Sequence, residues 1–264
     1  MADVTERDVP VDSIDGEGDD AAAWARRMET PWGSLQASVL RRRLLYWLGD
    51  RRHGAILDVG CGIGDLAAVL ASTTDRLVCV DRSPAMLAEA RRRLEGSKAK
   101  VSFERRDLSD GLHELGKFDL VIAHNVVDYT PEPQQAVEAL ANQLKAGGSL
   151  SLVFGNGAAQ ALRHAVMTHD FNEALQLARL PELRLPGPCG ESIRMRRPVV
   201  ERWLQDLGLS VVQRAGVRIL VDLLPNEAKT DATMPAIEEL EIELGERAEL
   251  VDIGALGLLF AVHP

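Results

Sequence analysis

The stretch ILDVGCGIGDLAAVL, residues 56–70, spaces glycines and carboxylates as a nucleoside site would need them. Gly60, Gly62 and Gly64 follow the apolar run Ile56-Leu57-Asp58-Val59 and precede Leu66-Ala67-Ala68-Val69-Leu70. A strand therefore turns on bare backbone into a helix, and a ligand can approach the main chain there. A dinucleotide fingerprint, G-x-G-x-x-G, would carry its third glycine at position 65, but Asp65 stands there. A carboxylate at that point would repel a pyrophosphate and tolerate a cationic or zwitterionic ligand. Asp81 ends the run LVCVD, where a carboxylate can accept both hydroxyls of a ribose. Asp107 ends KVSFERRD, where it can accept from an adenine amino group while Leu108 packs on the ring. Asp58 either belongs to the same ligand site or braces the glycine turn by accepting backbone N–H groups. His124, closing FDLVIAHN, serves as a general base, contacts cofactor and acceptor, or only hydrogen-bonds at a strand end.

The elements that must position these groups alternate. Strands are expected at 56–59, 77–81, 100–107, 118–125 and 148–156, and helices at 64–71, 83–96 and 131–144. The strands are rich in Val, Ile and Leu without strict alternation, as in a parallel sheet covered on both faces. Ahead of them, AAAWARRMETPWGSLQASVLRRRLLYWLGD reads as one or two helices broken near Pro31. After them come a helical stretch over 157–180 and a Pro- and Gly-rich loop over 181–198. A helix at 199–208, a strand at 209–220, an acidic helix around 237–250 and a closing strand from 253 complete the chain.

Composition bounds the function. The chain has 264 residues, 46% of them hydrophobic, enough for one large domain with an inserted cap. No apolar run is long enough to span a membrane, and the acidic N-terminus lacks the pattern of a secretory signal. Cys61, Cys79 and Cys189 are too few and scattered for a disulfide framework or a metal site, and a reducing cytoplasm is the expected compartment. A net charge of −10 argues against generic nucleic-acid binding. Much of that charge lies in residues 1–20, expected to be a disordered tail, and local basic groups remain at Arg41–Arg43, Arg91–Arg93, Arg105–Arg106 and Arg194, Arg196 and Arg197.

The ordered set LDVGCGIG, Asp81, Asp107, FDLVIAHNVVDY and LKAGGSL resembles the class I S-adenosylmethionine-dependent methyltransferases. The resemblance implies an α/β fold: a Rossmann-like, doubly wound, mostly parallel seven-stranded sheet with an antiparallel last strand. It implies one methyltransferase domain over 21–264, with a helical cap from 21–50 and 157–197, and S-adenosylmethionine as cofactor. By the same resemblance, Asp58, Gly60, Cys61, Gly62, Gly64, Asp81, Arg82, Met86, Asp107, Leu108 and His124 contact the cofactor. METPWGSLQASVL, FGNGAAQALRHAVMTHDFNEAL, AGVRILVDLL and ELEIELGERAELVDIGALGLLFAV are similar to the bacterial tRNA 5-carboxymethoxyuridine methyltransferases. Gln36 falls where that group has an arginine near the cofactor's methionine carboxylate, and the group's lysine-rich loop is here ARLPELRLPGPCGES.

The expected reaction is methylation of a small-molecule carboxylate or hydroxyl. The alternatives are esterification of a tRNA wobble uridine and cofactor binding without catalysis. The last would need a blocked acceptor pocket, for example by Trp32 or Trp203. A carboxylate acceptor needs no general base, an alcohol does, and no metal is required. Asp128 and Tyr129 are candidates for the site mouth, Arg218 and Asp222 for orienting an acceptor. His164 and His169 are expected on a solvated helix face, and Cys189 is a remote candidate nucleophile.

Overall fold

A computed structural model describes residues 21–50, 52–180, 183–187 and 190–264. The tail 1–20 and Cys189 lie outside the described residues, and so do the expectations placed on them.

Seven strands form one sheet: β1 (His53–Val59), β2 (Thr74–Asp81), β3 (Lys100–Arg105), β4 (Phe118–His124), β5 (Leu144–Gly155), β8 (Ser210–Val217) and β9 (Leu256–Val262). Their order is β3-β2-β1-β4-β5-β9-β8. The first five run parallel, and β9 lies antiparallel between β5 and β8. This is the doubly wound sheet with an antiparallel last strand that the motifs implied.

Side-chain alternation explains why the strands carry no polar face. Leu57 and Val59 enter one core with Val137 and Leu140 of α5 (Pro133–Ala141) and Val200 and Leu204 of α8 (Arg197–Asp206). Ile56, one residue away, enters the opposite core with Leu44 and Leu48 of α2 (Pro31–Leu48) and Ala67 and Leu70 of α3 (Asp65–Leu70). Both faces are buried, so both must be apolar. Under the β5-β9-β8 end, Leu35 and Val39 of α2 pack with Ile237 of α9 (Met234–Gly245).

The first two helices, α1 (Ala21–Glu29) and α2, part at Thr30, whose hydroxyl accepts from Gly33 N at 3.2 Å with Pro31 in the first turn. Ser83 caps α4 (Pro84–Arg93) in the same way.

Three expectations need correction. The stretch 157–180 is two helices, α6 (Gln160–Thr168) and α7 (Phe171–Arg179). His169 turns left-handed at φ 60°, and Asp170 caps α7 by accepting from Asn172 N and Glu173 N. The Pro- and Gly-rich segment contains an antiparallel hairpin, β6 (Leu183–Gly187) and β7 (Gly190–Arg194), rather than only loop. Leu183 and Ile193 are buried and Ser192 Oγ donates to Leu185 O at 3.2 Å, so packing overrides turn-rich composition. The third strand stops at Arg105, which leaves Asp107 beyond it as the cap of a single 3₁₀ turn.

Candidate functional site

The carboxyl ends of β1, β2 and β4 and the segment after β3 converge on a cleft of about 760 Å³, counting its open mouth. Gly60, Gly62, Asp81, Arg82, Met86, Asp107, Leu108 and His124 all line it. Position at strand carboxyl ends is what this architecture offers to ligands.

The loop is built for bare backbone. Gly60, Gly62 and Gly64 have φ of 69°, 54° and 82°. A Cβ on Gly60 would stand 2.5 Å from Val126 Cγ2, and one on Gly64 3.0 Å from the Cα of Ala90 in α4. Gly60 N and Cys61 N both donate to Val80 O, at 2.8 and 3.0 Å, locking the turn onto β2. Gly64 and Cys61 thus shape the loop from outside the cleft lining. Asp65 also faces away: its carboxylate pairs with Arg93 of α4, so the charge read as selecting the ligand is not delivered to the cleft.

Asp81 joins loop and cleft. One oxygen accepts from Gly62 N at 2.9 Å and the other from Ser83 N at 2.9 Å. Burial raises its pKa, and the two backbone donors work against that rise. Asp58, expected at the cofactor, lies outside the cleft lining: it is 4% exposed and one of its carboxylate oxygens, Oδ2, has no hydrogen-bond partner. It makes none of the bracing bonds to the glycine turn. Burial, with the charge of Asp81 nearby, pushes its pKa up to about 7. Asp107 behaves oppositely. Despite partial desolvation, hydrogen bonds from Ser109 Oγ (2.6 Å) and Ser109 N (2.9 Å) hold its pKa below the usual carboxylate value.

His124 Nε2 lies 2.8 Å from Ser151 Oγ of β5, and burial pushes its pKa down to about 3. The ring is neutral at physiological pH and a weak base. Its stability linkage has a definite sign. Between about pH 6.5 and 3 the unfolded chain takes up a proton that folded His124 refuses, so stability falls as pH drops through that window. The side chain retains some solvent contact, which discounts the full linkage. His124→Asn is therefore expected to lose roughly 1–2 kcal/mol less stability than the wild type between about pH 7.5 and 4.5. Urea unfolding at the two pH values measures this, and equal losses would remove the buried-neutral assignment.

A second cavity of about 400 Å³ adjoins the first and shares Trp24, Asn125 and Tyr129 with it. Its wall includes Arg27, Arg194 and Arg218, together with Gln36 and Asp128. Gln36 is therefore in the neighbouring cavity, and its Oε1 accepts from Arg218 at 3.2 Å. Asp222 lies behind Arg218, pairing with it and with Arg163. His164 Nε2 lies 3.1 Å from a carboxylate oxygen of Glu173, and neither it nor His169 lines either cavity. Trp32 and Trp203 line neither cavity: the guanidinium carbons of Arg27 and Arg218 lie 4.3 and 4.9 Å from the Trp32 ring centroid, and Trp203 packs against the core.

Residues missed by sequence reading are Trp24, Asn125, Arg27 and Arg194. Asn125 alone left a local signal: it follows His124 directly and adopts φ 56°, a conformation asparagine tolerates better than most residues. Among the described residues no group of three or more His, Cys, Asp or Glu is placed to hold a metal ion.

The chain is similar in sequence and fold to known methyltransferases. Residues 56–148 match the family model of the methyltransferase domain. The tRNA 5-carboxymethoxyuridine methyltransferase of Escherichia coli K12 is 25% identical over 232 residues, covering 85% of this chain and 87% of that protein. The ubiquinone biosynthesis O-methyltransferase of Xanthomonas axonopodis is 27% identical over 164 residues, covering 61% and 65%. The crystal structure of magnesium protoporphyrin IX methyltransferase from Synechocystis, with bound S-adenosylhomocysteine, superposes with a TM-score of 0.60 at 18% identity, covering 93% of this chain and 96% of that one. Residues 56–148 thus match a methyltransferase domain on a Rossmann-like fold, and the chain is an S-adenosylmethionine-dependent methyltransferase.

Proposed function

We propose that this enzyme transfers a methyl group to the carboxylate of a small acidic acceptor, forming a methyl ester. The observation that carries this reading is the cavity beside the cofactor cleft, whose wall includes three arginines, Arg27, Arg194 and Arg218, against one acid, Asp128. Guanidinium recognises carboxylate geometry better than any other side chain.

The residues present fit the cofactor. Asp81 sits where both ribose hydroxyls can reach it, and Asp107 and Leu108 stand for the adenine. Gly60 and Gly62 offer close backbone approach, with Arg82 and Met86 on the flank. The partnerless oxygen of buried Asp58 suits an ammonium group such as that of the cofactor's methionine. Gly64 and Cys61 hold the loop in shape, and Gln36 meets the methionine end through the second cavity. Bound there, S-adenosylmethionine supplies an electrophilic methyl group on a positively charged sulfur.

The chain's own part is alignment and exclusion of water, which can supply about 7–11 kcal/mol of barrier lowering. Asn125 and Tyr129 stand at the junction of the two cavities, where acceptor and methyl must meet. Trp24 of α1 covers the same junction. A carboxylate arrives already ionised, so a neutral, weakly basic His124 is no handicap. An alcohol would need a better base than His124.

Esterification of a wobble-uridine carboxylate on tRNA is the second reading, supported by similarity to the Escherichia coli enzyme over 85% of the chain. It shares the acceptor chemistry and differs in the carrier. Against it, several of the basic groups that would grip phosphates are met by acids. Arg42 pairs with Glu238 and Glu239, Arg43 with Glu246, Arg92 with Glu89, and Arg197 with Glu201 and Asp252.

Methyl-tritiated cofactor incubated with separated small-molecule and RNA fractions of a cell extract tests the proposal. Label released as methanol by mild base from the small-molecule fraction is the expected result. Base-stable label would exclude an ester, and label confined to RNA would select the second reading.

A further inference from the structure

The turn that leaves β8 is built around one arginine. Arg218 adopts a left-handed backbone at φ 59°, unusual for a residue other than glycine. Such strain persists only where its surroundings over-determine it, and it concentrates at ligand sites. Here the determinant is Glu241 of α9, which is fully buried. Its two carboxylate oxygens accept from the N–H groups of Ile219, Leu220 and Val221 at 2.8, 2.8 and 2.7 Å. Three successive main-chain donors on one buried carboxylate leave the turn a single arrangement.

The side chain is fixed as firmly as the backbone. Asp222 accepts from Arg218 Nη2 at 2.7 Å and from Nε at 3.0 and 3.1 Å. Gln36 Oε1 accepts from Nη1 at 3.2 Å, and the guanidinium carbon lies 4.9 Å from the Trp32 ring centroid. Arg163 of α6 pairs with the same Asp222 and donates to Arg218 O at 3.0 Å. One carboxylate thus serves two guanidiniums, and Arg218 forms cavity wall beside Arg27, Arg194 and the single acid Asp128. As a source of stability alone this is an inefficient design, since well-packed apolar residues commonly do as well as buried ion pairs.

We propose that Arg218 is the specificity-determining residue of the acceptor site, receiving the acceptor's carboxylate, and that Glu241 is its positioning residue. The proposal rests on the carboxylate reading above and assigns it to one side chain. One acceptor oxygen is held by the guanidinium while the other is left to attack. The cavity walls beside it, Trp24, Tyr129 and Leu256, suit a flat or aliphatic acid.

The test uses benzoate and its uncharged counterpart benzamide, titrated calorimetrically into the full chain loaded with S-adenosylhomocysteine. Wild type is expected to prefer benzoate by roughly 10-fold or more. Arg218→Gln should abolish the preference, and Arg218→Lys should retain part of it, because an ammonium keeps charge but not the fork. Glu241→Gln, which exchanges one acceptor oxygen for a donor facing N–H groups, should reduce the preference while the affinity for S-adenosylhomocysteine is kept. An indifferent wild type, or one that binds no benzoate, overturns the proposal; so does Arg218→Gln with its preference intact. An equal loss of S-adenosylhomocysteine affinity in Arg218→Gln, with the thermal midpoint unchanged, would place Arg218 on the cofactor instead and also overturns it. Should Arg218→Gln or Glu241→Gln fail to fold, Arg218→Lys decides, and an undiminished preference there refutes the assignment. Benzoate selectivity through Arg218, without ester formation in the extract assay, would instead refute the proposed reaction and leave this site standing.

Discussion

Replacing Asp58 by Asn is expected to stabilise the ligand-free enzyme at alkaline pH and to weaken its hold on the cofactor. The carboxyl of Asp58 is buried, has one oxygen without a partner, and has its pKa raised from 3.8 to about 7. A raised carboxyl pKa means the folded state keeps a proton that the unfolded chain has released. Stability is therefore complete below the unfolded value and is lost as pH rises toward the folded one. About three pKa units correspond to at most ~4 kcal/mol of lost stability at about pH 8, which Asn would recover in part because it carries no charge. A gain of roughly 2 kcal/mol is the expectation, read as a higher thermal midpoint by ~2–4 °C per kcal/mol. The functional side has the opposite sign. If Asp58 meets the cofactor's ammonium, binding favours the ionised form, so affinity for S-adenosylhomocysteine should rise from about pH 6 to 8 in the wild type. In Asp58→Asn that rise should vanish and affinity should be lower throughout. Calorimetry across that range measures both. A pH-independent wild type would separate Asp58 from the ligand, and an unstabilised variant would show that its charge is met in the folded state.

The motifs assigned to the cofactor were legible in the sequence for a physical reason. Their parts are local. Gly60, Gly62 and Gly64 need positive φ, which only a run of glycines announces. Asp81 and Asp107 lie at or just beyond strand ends, and parallel strands buried on both faces declare themselves as continuous apolar runs. The misreadings here concern direction rather than position. Asp65 is where the spacing placed it, but its side chain swings to Arg93. A one-dimensional pattern locates a Cα and says little about where the side chain finds its partner.

The proposed acceptor cavity was legible only in part: Arg218, Asp128 and Tyr129 were read as candidates and line it, whereas Arg27 and Arg194 were not read as lining it. Arg27, Arg194 and Arg218 come from α1, from the end of β7 and from the turn after β8, with nothing in their spacing to link them. The hairpin that carries Arg194 looked like loop, because Pro186 and the flanking glycines outweighed the buried Leu183 and Ile193. Gln36 illustrates the same limit. Read alone it was a missing cation; in three dimensions it touches one, because Arg218 donates to it. The cofactor motifs adjoin in the sequence, whereas the proposed acceptor cavity is lined by residues that only the closed fold assembles.

Asp81 is where the two kinds of information coincide, and Asp81→Ala is expected to have the largest effect on cofactor binding. Its two oxygens already accept from Gly62 N and Ser83 N, at 2.9 Å each, and each retains a lone pair for a ribose hydroxyl. Removal therefore deletes two ligand bonds to a charged acceptor and frees the middle glycine of the loop at once. Hydrogen bonds to ionised groups contribute about 1.5–3 kcal/mol, so a loss of 10- to 100-fold or more in affinity follows. Asp81→Asn separates the contributions, since its single oxygen can hold Gly62 N or Ser83 N but offers an amide where the other acceptor stood. An intermediate loss of ~1 kcal/mol is expected there. The unfolding free energy of each variant, measured without ligand, reports the loop bonds alone, and the excess in binding reports the ribose. Equal S-adenosylhomocysteine affinity in wild type and Asp81→Ala would leave Asp81 as a structural tie between β2 and the glycine loop and move the ribose elsewhere in the cleft.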